Sequence, residues 1–139
     1  MKKTILTLLA LVIILASFTV IPTQAAFSNQ EETVMPRWSN TIAINPSVFQ
    51  YNETKGAAEI AVSTLSTSKT DICIKIYQLA GSSWVQITEG STTSYAPVAT
   101  YSLMFDATSG HYYKAEFIIT VTRAGVSDSI NKSRTIYFE

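Results

Sequence analysis

The sequence predicts an all-β protein: an antiparallel β-sandwich of about seven strands, preceded by a signal-peptide helix. Three observations carry this. Apolar and polar residues alternate with a period of two through most of the chain after residue 40, the pattern of strands with one buried and one wet face. Clusters of Gly, Asn, Asp and Ser punctuate the alternation at "NETKG", "STSK", "AGSS", "EGSTTS", "DATSG" and "RAGVSDS", which marks turns. No stretch after residue 25 reads as a helix.

The first element is the exception. Lys2 and Lys3 precede an uncharged, mostly apolar run from Thr4 to Ile21, then Pro22 and the small-residue site Thr23-Gln24-Ala25. Basic, apolar and cleavable segments in that order make a secretory signal, so residues 1–25 are expected to be removed near Ala25 and the protein to be secreted. No stable membrane anchor is expected after cleavage. Residues 26–39 have no regular period and read as an extended arm, with Pro36 pushing Met35 toward extended geometry. Residues 40–139 are the expected sandwich domain.

Within it, "TIAIN" is a short β-branched strand that Pro46 ends or moves to a sheet edge. "AAEIAVSTL" sets Ala58, Ile60 and Val62 on one face against Glu59 and Ser63. "TDICIKIYQL" turns Ile72, Ile74 and Ile76 inward and Asp71, Cys73, Lys75 and Tyr77 outward. "SWVQITE" alternates Val85 and Ile87 against Trp84, Gln86 and Thr88, and "ATYSLMF" offers Tyr101, Leu103 and Phe105. "YKAEFIITV" is the clearest strand, with Tyr113, Ala115, Phe117, Ile119 and Val121 inward and Lys114, Glu116 and Thr120 outward. "RTIYFE" closes the chain. The same parity sends Tyr112 to the outer face and leaves His111 in the preceding turn, so the two do not converge with Tyr113.

Composition narrows the function. Ten basic residues balance ten acidic ones, and loss of Lys2 and Lys3 leaves eight against ten. That balance provides no basic field for nucleic acid. Cys73 is the single cysteine, so no intrachain disulfide exists and the fold must rest on its core; a disulfide-linked dimer through Cys73 is the remaining option.

Three short motifs carry a resemblance. Pro36-Arg37-Trp38, Gly81-Ser82-Ser83-Trp84 and Ser109-Gly110 followed by Tyr112-Tyr113-Lys114 resemble a pattern in small secreted proteins of unknown function from Gram-positive bacteria. The resemblance implies an immunoglobulin-like sandwich and no activity. Gly110-His111-Tyr112 also resembles the tyrosine corner of such sandwiches, where a Tyr hydroxyl bonds back to upstream backbone, although Lys114 stands where a cysteine would follow.

Chemistry is sparse. His111 with Asp106 and a serine would make a hydrolase triad, but no Gly-x-Ser-x-Gly elbow accompanies them. One Cys and one His fall short of a zinc site. Asp71, Asp106 and Asp128 stand apart rather than in a calcium loop, and Glu31-Glu32 lie in the arm. No cofactor is expected. What remains is a set of aromatics outside the inward positions: Trp38, Tyr51, Tyr77, Trp84, Tyr95 and Tyr112. Exposed aromatics on a sandwich face stack on sugars or anchor partner proteins. The expectation is therefore a non-catalytic exported module that binds or packs at the cell exterior, with Trp38, Trp84 and Tyr112 as candidate contacts to an extracellular protein or glycan. A carbohydrate-binding module is the alternative, and a small secreted hydrolase the second alternative.

Overall fold

A computed structural model describes residues 38–65 and 68–139. The expected signal segment and cleavage site, and most of the arm, lie outside the described residues. Seven strands follow: β1 (Thr41–Asn52), β2 (Lys55–Thr64), β3 (Lys69–Ala80), β4 (Ser83–Ser94), β5 (Val98–Asp106), β6 (Tyr112–Arg123) and β7 (Val126–Tyr137). They form a three-stranded sheet in the order β1-β2-β5 and a four-stranded sheet in the order β4-β3-β6-β7, every pairing antiparallel. The chain changes sheet between β2 and β3, β4 and β5, and β5 and β6. This is the immunoglobulin-like order, with the fourth strand on the β3 side of the larger sheet rather than completing the smaller one.

The core follows the sequence parity. Ala58, Ile60 and Val62 of β2, Ile72, Ile74 and Ile76 of β3, and Tyr113, Ala115, Phe117, Ile119 and Val121 of β6 are all buried and form one cluster. From β5 come Ala99 and Phe105, with Tyr101 and Leu103 packed alongside. At one end, Phe105, Tyr113 and Phe138 meet ring to ring, with centroids 4.9 to 6.0 Å apart. A side chain at Gly56 would run into the Phe105 and Phe138 rings, so only glycine lets β2 pass beneath them.

Of the two roles expected for Pro46 the second holds: β1 runs on to Asn52 as an edge strand, where proline is tolerated. Three other expectations need correction. "EGSTTS" belongs to β4, and Ser127–Ser133 lie within β7, because pairing to β3 and β6 overrides their weak strand propensity. Val85 and Ile87 are not core residues: they are 50% and 40% exposed. The pairing of β4 with β3 slips between Ile76 and Tyr77, where Ile87 is the extra residue of a β-bulge. From the bulge to Ser83, every residue of β4 is exposed. Finally, Trp38 and Ser39, read as part of the arm, are held against the domain: Trp38 packs on the core and the Ser39 N–H binds Asp128.

The two lateral sides of the sandwich differ. β1 faces β7 on one side, and there Asp128 joins the sheets. Its carboxylate accepts from the backbone N–H of Ser39 (3.0 Å), Asn40 (2.8 Å) and Thr41 (3.0 Å) and from the Thr41 hydroxyl (3.0 Å). The Asn40 side chain returns a bond to the Val126 carbonyl. On the other side, where β4 faces β5, an open groove of about 600 Å³ remains, lined in part by Gln78, Ile87, Thr88 and Met104. The free edges carry devices against strand addition: the bulge on β4, and on β7 the charged Lys132 and Arg134 at inward register positions.

The opening of β6 also differs from the sequence reading. The tyrosine corner is made by Tyr113, not Tyr112. Tyr113 is 1% exposed, and its hydroxyl accepts a 2.7 Å bond from the Thr108 backbone N–H, five residues upstream. Gly110, at φ 81°, permits the turn between them, and its N–H binds the Phe138 carbonyl. Tyr113→Phe is expected to cost about 1 to 2 kcal/mol, because the Thr108 N–H loses its acceptor. Tyr112→Phe should change stability by less than about 0.5 kcal/mol, as at an ordinary surface position. Urea midpoints of the two variants check this, and equal losses would refute the assignment.

Candidate functional site

Of the sequence-predicted contacts, Trp84 and Tyr112 come together on one surface and Trp38 does not, since it is packed on the core. The surface is the outer face of the four-stranded sheet. Paired residues in a sheet share a face, so the register alone places its side chains. Trp84 pairs with Leu79, Gln86 with Tyr77, Tyr77 with Lys114, and Tyr112 with Tyr137. Each of the four strands thus contributes one ring near the same end: Trp84 from β4, Tyr77 from β3, Tyr112 from β6 and Tyr137 from β7.

The geometry ties these rings together. Tyr112 and Tyr137 stack with centroids 4.8 Å apart and planes tilted by 50°. The Lys114 ammonium lies 4.6 Å from the Tyr77 ring centroid and 5.2 Å from that of Trp84, a cation–π contact with both. Glu116 fixes the ammonium from the other side at 2.7 Å. Trp84, Tyr112 and Tyr137 remain 37%, 48% and 46% exposed. The hydrogen bond from Lys114 draws the Glu116 carboxyl below its ordinary pKa, against the opposing effect of burial. Burial raises the Tyr77 phenol, and the neighbouring Glu116 carboxylate raises it further. At neutral pH, therefore, Glu116 is a carboxylate and Tyr77 a neutral phenol.

Sequence reasoning missed Tyr137, because "RTIYFE" gives no turn by which to set its facing. The signal was available in the alternation of "SDSINKSRTIY", where Ser129, Asn131, Ser133, Thr135 and Tyr137 share one parity. Tyr51 and Tyr95 are exposed but lie away from the row, Tyr51 at the end of β1 and Tyr95 in the β4–β5 loop.

The groups weighed for chemistry are held separately. Asp106 is paired with the Lys55 ammonium at the start of β2. His111 is engaged through its backbone carbonyl, which accepts from the Phe138 N–H. Asp128, considered as a loop ligand for calcium, is instead the buried clamp described above, its oxygens taken by N–H and O–H donors. Asp71 is held by Lys69 at 2.8 Å and by the Thr93 hydroxyl at 2.6 Å. Cys73 is half-buried in the middle of the outer face, beside Ser91 and Ile118.

No protein-family model matches the chain, and no curated protein matches it. Solved structures similar to it include a β-glucuronidase of Parabacteroides merdae, 12% identical with a TM-score of 0.42 over 70% of this chain. Another is the sporulation control protein Spo0M of Bacillus subtilis, 10% identical with a TM-score of 0.40 over 70% of this chain. A third is CsgH of R. palustris, 13% identical with a TM-score of 0.41 over 63% of this chain. The chain spans 13% of the glucuronidase, 50% of Spo0M and 87% of CsgH.

Proposed function

We propose that the protein is an exported, non-catalytic immunoglobulin-like module that binds at the cell exterior through the outer face of its four-stranded sheet. One observation carries the reading: four strands deliver Trp84, Tyr77, Tyr112 and Tyr137 to one end of one face, and Lys114 and Glu116 hold part of that row in place. Exposed aromatics supply much contact area at low conformational cost, which suits a recognition surface. The basic, apolar and small-residue order at the N-terminus supports export, and the resemblance to small secreted Gram-positive proteins agrees with it. The non-catalytic part rests on Asp106, whose carboxylate is paired with the Lys55 ammonium, and on the absence of a Gly-x-Ser-x-Gly elbow from the sequence.

The test is binding of the labelled protein to intact cells of its producer. Trp84→Ala with Tyr112→Ala is expected to reduce cell-bound protein about tenfold or more while leaving the thermal midpoint in place. Undiminished binding by that variant would refute the site. Turnover of cell-wall glycans or peptides that disappears in His111→Ala would refute the non-catalytic reading.

A further inference from the structure

We infer that the ligand of the aromatic row is an uncharged polysaccharide laid on the outer face of the four-stranded sheet. The inference rests on the proposed binding face and specifies what that face takes.

The charge pattern selects the class. The outward side chains of this face include Lys69, Lys75 and Lys114 against Asp71, Glu89 and Glu116, three of each sign. Lys69 with Asp71 and Lys114 with Glu116 are direct ion pairs, at 2.8 and 2.7 Å. Lys75 stands in register between Glu89 and Glu116. Such a face projects no net field, so it neither steers nor retains a polyanion. Two of its three ammonium groups and two of its three carboxylates are already paired, so an uncharged ligand strips water from few free charges.

The remaining lining suits sugar hydroxyls. Ser127, Ser129, Asn131, Ser133 and Thr135 are all exposed and follow one another along the outer side of β7 up to Tyr137. Each offers a neutral donor and acceptor, and the strip contains no charge. The rings supply the other half of pyranose recognition, because their electron-rich faces attract the weakly positive C–H face of a sugar. From Trp84 on β4 to Tyr137 on β7 the row crosses three strand intervals, about 14 Å at ordinary strand spacing, room for a short run of sugar units rather than one.

Affinity electrophoresis of the purified protein tests the inference, with gels containing β-glucan, galactomannan or glycogen as neutral probes and polygalacturonate or wall teichoic acid as anionic ones. Retardation is expected in at least one neutral gel and should persist at high salt. Trp84→Ala and Tyr137→Ala should each weaken it about tenfold, whereas Tyr51→Ala on the other sheet should leave it unchanged. Thermal midpoints of the ring variants, matched to that of the parent, assign the loss to binding. Retardation confined to the anionic gels would overturn the inference. So would migration unchanged in every neutral gel, with cell binding that still depends on Trp84 and Tyr112; that result would leave the face standing with a different ligand. Retardation equally strong in the ring variants would overturn the face itself.

Discussion

Asp128→Ala is expected to destabilise the domain by about 3 to 5 kcal/mol, the range for removing one partner from a buried charge-assisted network. The substitution leaves the N–H groups of Ser39, Asn40 and Thr41 without their acceptor, on the lateral side where β1 faces β7. Asp128→Asn should cost less, about 2 kcal/mol, because its single carbonyl oxygen can still accept some of these bonds while its NH₂ faces a donor. The carboxylate also contributes to the acid limb of stability. Burial alone would raise its pKa, but the bonds from Asn40, Ser39 and Thr41 outweigh burial and hold it below the ordinary aspartate value. A group depressed in the folded state stabilises the fold fully above its unfolded pKa, about 3.9 for aspartate. That contribution is lost as pH falls from there through the folded value. Urea midpoints measured between neutral pH and pH 3 should therefore fall less steeply for Asp128→Asn than for the parent. Parallel curves would remove Asp128 from the acid limb.

Phe117→Ala is the second large effect, at about 3 to 5 kcal/mol. Phe117 is fully buried on β6, an inner strand flanked by β3 and β7, and sits between Ile74 and Lys132 in register. Its loss leaves a ring-sized void that rigid strands on either side cannot close, so the cavity cost adds to the lost burial. A small domain holds about 5 to 15 kcal/mol in all, so the variant should lie near the edge of folding. His111→Ala, six residues earlier, should stay within about 0.5 kcal/mol, because His111 serves the fold through its backbone carbonyl. Denaturation midpoints decide the pair. A stable Phe117→Ala beside an unfolded His111→Ala would mean that β6 faces the other way.

The inner strands were legible because their environment repeats the pleat. β2, β3 and β6 have neighbours on both sides and a sheet opposite, so every second side chain is buried and the period of two survives intact in "AEIAV", "DICIKIY" and "YKAEFIITV". The edge strands were read less well. β4 and β7 are rich in Ser and Thr and carry little apolar alternation, and their extent is imposed by twelve-residue partners rather than by their own propensity. The Ile87 bulge shifts the parity of half of β4, which no count along the chain reveals.

By itself the sequence determined the fold class, the core faces of three strands and the outward parity of Tyr77 and Tyr112, because local alternation encodes burial. Tertiary structure decided what depends on register between strands distant in sequence. It gave the tyrosine corner to Tyr113, which alone of the two tyrosines points toward the Thr108 N–H. It turned Asp128 from an isolated carboxylate into a clamp on a segment 87 to 89 residues away. It also drew Trp84 and Tyr137, more than fifty positions apart, into one row with Lys114 between the rings of Trp84 and Tyr77. Such contacts are fixed by which strands pair and in what register, and a one-dimensional pattern carries facing but not pairing.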